Sequence, residues 1–321
     1  MPLRTLSLLA LSAALCMAPA AHAAYPEKPV KLVVAYAPGG STDIVARLLA
    51  NALGEKWGQS IVVENKAGAS GMIGTEQVVR SAPDGYTLQL AYTPEVSINK
   101  LVFKDMRYDP ATDLTPLNLI ASAPLVLAAG PSVGVKSMDK LLSDKAAHAH
   151  LTYGSPGVGG QQHMAGELLK NLTGLPLTHV PYRGTSLAVT DLVGGQIDLF
   201  FATTPPLLGN IQAGKLHPLL VAGDKREALL PDVPTAVELG MPRLQLTNWF
   251  GLFAPKGLSQ DLARKISADV GAIMQDPRFR KELESKGLTP TPMDPAKFAA
   301  FISDEMTKYA QIVKETGIGA Q

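Results

Sequence analysis

Two segments of this chain could hold an anion without any lysine or arginine. The first runs Ala37-Pro38-Gly39-Gly40-Ser41-Thr42-Asp43, the second Gly154-Ser155-Pro156-Gly157-Val158-Gly159-Gly160. Each leaves a β-rich run (Val33-Val34-Ala35-Tyr36 and Leu151-Thr152-Tyr153) and enters a helical one. A helix N-terminus carries unpaired backbone N–H groups and about half a positive charge. Glycines just before it let a ligand approach the backbone and let N–H groups converge. Ser41, Thr42 and Ser155 would add neutral donors. The chemistry that fits is capture of a small anion, a carboxylate in particular. Phosphate fits less well, because neither turn has P-loop or G-x-G-x-x-G spacing. For either turn alone the alternative is ordinary capping, with Ser41 or Thr42 serving its own helix. Two such turns in similar settings favour a cleft closing on one carboxylate.

Other residues join this candidate set. Tyr36 precedes the first turn, and Gln162 and His163 open the helix after the second. His163 could face a ligand, cap its helix or pack. A third glycine segment, Gly68-Ala69-Ser70-Gly71-Met72-Ile73-Gly74, either adds donors to the cleft or makes a tight turn. Arg183 lies between a strand and a helix; its fork of donors suits a carboxylate, or else a surface or inter-lobe ion pair. Thr93, Glu95, Phe200 and Thr203 are expected on the rim, setting ligand size. His148 and His150 have no partner spaced for a metal, and no metal or cofactor is expected. The enzyme alternative is a spatial triad of Ser155, His163 and Asp43, but the chain has no G-x-S-x-G elbow. No catalytic residue is expected.

The elements that would position these residues alternate along the chain. Strands are expected at Val30–Ala35, Ile61–Val63, Thr87–Tyr92, Leu125–Ala129, Leu151–Tyr153, Ile197–Phe201 and Leu219–Val221. Helices are expected at Asp43–Leu53, Ile73–Ser81, Ser137–Leu142, Gln161–Leu172, Leu187–Val193 and Leu258–Gln275. A last helix opens with Asp294 and Pro295, and its stripe Phe298, Ile302, Met306, Tyr309, Val313 reads as core packing. The alternation indicates α/β layers with mainly parallel sheets. The repeated strand–glycine turn–helix unit indicates two similar lobes.

The N-terminus indicates where the protein works. Arg4, the apolar run Leu6 to Ala18 and the small residues ending Ala21-His22-Ala23 make a signal peptide cleaved after Ala23. The run is too short for a membrane anchor, which needs ~20 residues. Cys16 opens a lipoprotein alternative, but Leu15 stands where such signals want a small residue. Removing the segment takes Arg4 and no acid, so 29 Lys+Arg become 28 against 28 Asp+Glu. A neutral surface argues against nucleic acid as a partner. The single cysteine leaves with the signal, so neither disulfides nor a thiol nucleophile remain.

Taken in order, many short strings resemble the Bug family, the TctC-type periplasmic solute-binding proteins of tripartite tricarboxylate transporters. They include Tyr25-Pro26-Glu27-Lys28-Pro29-Val30, the Tyr36–Asp43 turn, Trp57-Gly58-Gln59, and Ala82-Pro83-Asp84-Gly85-Tyr86-Thr87. Later come Tyr108-Asp109-Pro110, His179-Val180-Pro181-Tyr182-Arg183-Gly184, Asp191 to Asp198, Leu230 to Thr235 and Trp249-Phe250-Gly251-Leu252. The resemblance implies a two-lobed α/β fold of the type II periplasmic binding class, with crossings near Ser122 and Gln245. Residues 25–122 plus 245–321 would form one lobe and 123–244 the other. It also implies a monomer that closes on a small organic carboxylate, held mainly by backbone amides from one glycine turn per lobe. The closed form would be presented to inner-membrane permease subunits. A ligand sensor for a membrane kinase is the alternative role on the same fold. Where many members carry an acid on the cleft side, this chain has Ala202 in Phe201-Ala202-Thr203-Thr204-Pro205, which disfavours amino-acid ligands.

Overall fold

The computed structural model describes residues 25–143 and 150–318. The signal segment, Cys16 and His148 lie outside the described residues. Among the described residues eleven strands form two sheets. Strands β1 (Val30–Val34), β2 (Ile61–Asn65), β3 (Thr87–Tyr92), β4 (Leu114–Pro124), β10 (Thr247–Pro255) and β11 (Thr289–Met293) form the first, in the order β11-β4-β10-β3-β1-β2. The second holds β5 (Val126–Ala129), β6 (Leu151–Ser155), β7 (Leu177–Pro181), β8 (Leu199–Ala202) and β9 (His217–Val221), in the order β7-β6-β8-β5-β9.

Helices cover both faces, so central strands read as continuous apolar runs rather than alternating ones. In β1, Leu32 and Val34 enter a cluster with Leu49 and Leu53, while Val33 enters another with Trp249 and Phe298. Strand β8 repeats the pattern: Leu199 and Phe201 face one core, Phe200 and Ala202 the other. The helices that matter below are α1 (Ser41–Trp57), α2 (Met72–Val79), α3 (Gln161–Thr173), α4 (Thr185–Val193), α5 (Thr204–Gln212), α6 (Gln260–Gln275), α7 (Pro277–Glu284) and α8 (Pro295–Thr316).

The sheets are mixed, which corrects the expectation of mainly parallel ones. β1 pairs in parallel with β2 and β3, and β6 with β7 and β8. The pairs β3–β10, β10–β4, β4–β11, β8–β5 and β5–β9 are antiparallel. The chain changes sheets where β4 passes to β5 through Leu125 alone. The return runs from β9 to β10. The two passages are bonded side by side: Leu125 N–H donates to Leu246 O, Ala222 N–H to Leu125 O, and Leu246 N–H to Ala222 O.

Two further segments tie the sheets together. After β3, residues 94–102 put Ile98 and Val102 into the core of the second sheet. Helix α8 starts with Phe298 against Trp249 and Phe253, ring centroids 5.6 and 5.2 Å apart, and ends with Tyr309 fully buried in the second core. Its stripe is core packing, as its spacing indicated.

Candidate functional site

The helices α1 and α3 begin alike. Gly40 and Gly160 are their N-caps, both extended, and neither end has a side-chain cap. Before each stands a left-handed glycine, Gly39 at φ 86° and Gly159 at φ 73°, a conformation any side chain would strain. The N–H of each then turns onto the third helical residue: Gly39 donates to Asp43 Oδ2 and Gly159 to His163 Nδ1, both at 3.0 Å. One turn is therefore built twice, from Gly-Gly-Ser-Thr-Asp and Gly-Gly-Gln-Gln-His. The first helical bonds run from Ile44 to Gly40 and from Met164 to Gly160. That leaves the N–H groups of residues 41–43 and 161–163 without an acceptor among the described residues.

These two ends meet at a cavity between the sheets. Tyr36, Gly40, Ser41, Thr42 and Asp43 line it from one side, and Gln162, Thr185, Ala202 and Thr203 from the other. Its volume is about 20 Å³, room for roughly one water. The Ser41 and Thr203 hydroxyls are hydrogen-bonded across the boundary. Gln162 Oε1 and Asn248 Oδ1 are buried there without partners, and each amide can turn over to present its NH₂ instead. The one charged side chain on this wall, Asp43, is already engaged. Burial alone would raise its carboxyl, but Arg47 (two bonds of 2.9 Å), Gly39 and Asn65 outweigh that and hold it below the usual range. What attracts an anion here is backbone N–H and helix dipole.

A second, outer cavity of about 320 Å³ shares Tyr36 with the first. Gly157 and Arg183 line it, and so does the third glycine segment through Gly68, Ser70 and Gly71. Arg183 is exposed and forms no ion pair among the described residues. Ser70 Oγ donates to Val158 O at 2.8 Å, while Ser70 O accepts from Tyr36 Oη at 2.9 Å and Asn99 Nδ2 at 2.8 Å. Ala69 and Ser70 sit at φ 46° and 50°, a strain of about 1–2 kcal/mol per residue that these bonds hold in place.

Not every expected residue lines a cavity. The Thr93 hydroxyl accepts from Trp249 N–H at 3.3 Å, bracing β10. Phe200 is fully buried, packed in a core cluster with Ala188, Leu192 and Ile197. Ser155 donates to Gly157 O and meets His179 Nε2, both at 2.7 Å, inside the turn. His163 stacks on His179 with centroids 3.8 Å apart and planes at 11°. Burial holds both imidazoles low, His179 at about 3 with His163 adding to the effect. Acceptance from Gly159 requires a bare Nδ1, so His163 braces its turn as Asp43 braces the other. The triad of Ser155, His163 and Asp43 is not assembled. Glu95 is buried behind Gly71 and Tyr36, and burial pushes its carboxyl well up.

Sequence reasoning missed Tyr92, Thr185 and Asn248, which line the inner cavity. Thr185 stands one residue after a glycine at φ 151°, a signal that could have found it. Asn248 lies in an apolar run, where nothing but its polarity marks it.

The family model of the tripartite tricarboxylate transporter family receptor (TctC) matches residues 45–318. Protein BugT of Bordetella pertussis is 34% identical over 302 residues, covering 94% of this chain and 93% of its own. Among solved structures, an R. palustris protein with adipate superposes with TM-score 0.90 at 33% identity, covering 93% of this chain and 100% of that one. MatC of Rhodopseudomonas palustris with bound malate gives 0.83 at 30%, covering 90% and 100%. BugD, a periplasmic binding protein, gives 0.88 at 32%, covering 92% and 100%. This chain belongs to the tripartite tricarboxylate transporter receptor (TctC) family.

Proposed function

We propose that this protein is exported to the periplasm, loses its signal peptide after Ala23, and binds a small organic carboxylate between its lobes. The observation that carries this reading is the pair of uncapped, glycine-led helix ends meeting at one cavity. A carboxylate would accept from the N–H groups of residues 41–43 and 161–163, with Ser41, Thr42, Gln162 and Thr203 as neutral partners. Tyr36 and Arg183 would meet the rest of the ligand in the outer cavity. Adipate and malate in the related structures support a carboxylate. The lobes would be residues 25–122 plus 245–321 and residues 123–244, closing about the bonded passages at Leu125 and Leu246. The monomer would deliver its ligand, in the closed form, to the permease subunits of a tripartite tricarboxylate transporter.

A thermal-shift screen of the mature chain against carboxylic acids, adipate and malate included, tests this. A ligand at 100 times its dissociation constant adds ~2.7 kcal/mol, a readily visible shift. Hits confined to carboxylates, and lost on replacing Gly40 with a bulky residue, are expected. Hits among amines or sugars alone would overturn the reading.

A further inference from the structure

Strand order puts a second cavity on the other side of the hinge. The carboxylate cleft hangs from β1 and β6, toward one end of each sheet. The larger cavity, about 450 Å³, lies toward the opposite ends, beside β11 of the first sheet and just past β9 of the second. Its floor includes Ser122, Pro124 and Thr247 at the two passages between sheets. One wall is the loop from Gly223 to Leu229, and the other runs from Glu284 at the end of α7 to Thr289. Rotation about the passages that widens one cavity narrows the other. In this structure the inner and outer cavities of the cleft hold about 20 and 320 Å³ and the cavity behind the hinge about 450 Å³.

The chemistry of this cavity is distinct from that of the cleft. Glu227 is 9% exposed; one carboxyl oxygen takes the Thr204 hydroxyl and the other, Oε1, is buried with no partner. Gly287 closes over this pair, close enough that a Cβ there would sit 2.9 Å from Thr204 Cβ and 3.4 Å from Glu227 Oε2. Asp224 and Glu284 line the same space and form no ion pair among the described residues. Of the two cations on the loop, Arg226 is held by Glu238 and by Pro231 O, while Lys225 is exposed and forms no ion pair among the described residues. Burial pushes the Glu227 carboxyl up to about 7, the shift an approaching cation would reverse. Thr204 also starts α5 and follows Thr203, the residue bonded to Ser41 in the cleft.

We propose that this cavity is an effector site for a small ammonium-bearing molecule, held by Glu227 with Asp224 and Glu284, whose occupation favours the closed cleft. An occupant of the space behind the hinge resists the rotation that would narrow it. Coupling of this kind is reciprocal: the amine tightens carboxylate binding by the factor by which the carboxylate tightens the amine. The coupling rests on the two-lobed closure described above; the site itself does not.

The probe is ethylammonium chloride on the mature chain at pH 8, where Glu227 is ionised and the probe is still cationic, against sodium chloride at equal ionic strength. Expected is a saturable rise in melting temperature with ethylammonium alone, lost in Glu227→Gln. Glutamine can still accept from Thr204, so the variant's own melting temperature checks that it folds. No difference from sodium chloride, or an equal rise in the variant, overturns the site. Adipate titrated with and without saturating ethylammonium then reads the coupling, expected to be at least about fivefold in affinity. Unchanged adipate affinity overturns the coupling. Should adipate not bind, the tightest acid from the screen takes its place; should no carboxylate bind, the carboxylate reading fails, while the melting experiment still decides the amine site.

Discussion

Replacing Gly157 with alanine isolates closure from folding. Gly157 belongs to the second glycine turn, yet its nearest neighbour is in the third glycine segment, which follows β2: a Cβ would stand 2.6 Å from Ser70 Oγ and 3.4 Å from Ser70 Cα. Ser70 is not free to yield, because its hydroxyl donates to Val158 O at 2.8 Å and its carbonyl accepts from Tyr36 and Asn99. Turning the hydroxyl away loses one hydrogen bond, about 1 kcal/mol, and the remaining overlap costs at least about another 1 kcal/mol. Together these weaken the closed state by about 2 kcal/mol, or roughly thirtyfold in affinity. Titration calorimetry with the carboxylate found by screening reads this directly. The core of neither sheet is touched, so the ligand-free melting temperature should stay within about 2 °C. Adding Ser70→Gly removes the obstructing hydroxyl and suits φ 50°, so the double variant should regain the overlap part of the loss, about fivefold. Affinity within twofold of the parent in Gly157→Ala, or no recovery in the double variant, would refute the argument that these turns meet on closing.

Other perturbations test other links. Gly166→Ala in α3 places a Cβ 2.0 Å from the Tyr153 ring, which is 1% exposed and bonded to Glu167; about 3 kcal/mol should be lost, a fall of roughly 6–12 °C in melting temperature. His163 and His179 are depressed by burial, so the unfolded chain binds more protons between the ordinary value near 6.5 and the folded values. Stability should therefore be full above about pH 6.5 and decline as pH falls below it, by ~1–2 kcal/mol at pH 5 after discounting for their partial exposure; His179→Gln should flatten that part of a stability–pH curve. Ala202→Asp puts an acid on the inner cavity wall and should weaken plain carboxylates about tenfold or more, with amino acids gaining relative to their deaminated counterparts in calorimetry. An equal effect on both classes would count against the role given to Ala202.

The glycine turns were legible because they need a residue type nothing else replaces, and both lead into the helices their spacing announces. The backbone matches Gly39-Gly40 with Gly159-Gly160 and Asp43 with His163, the register given by the sequence echo of Arg47–Asn51 with Glu167–Asn171 once the second turn is taken as three residues longer. An acid and an imidazole do one job there, and only geometry reveals that they are equivalent. Strand β11 went unread because Pro290 and Pro292 break its pattern, which an edge strand tolerates. β4 and β10 fix the antiparallel half of the first sheet, and no local signal distinguishes a strand that changes sheets from one that does not. Phe200 was misplaced for a related reason. In a strand buried on both faces, polarity does not tell a residue in the core from one at the cleft, and it is Ala202, at the end of β8, that lines the inner cavity.

The central claim is that backbone N–H groups at two helix ends grip one carboxylate. A crystal structure of the mature chain with its tightest-binding acid tests it most directly. The account predicts carboxylate oxygens about 2.7–3.2 Å from N–H groups among residues 41–43 and among residues 161–163. A carboxylate seated on lysine or arginine side chains, with both helix ends left to water, would contradict it.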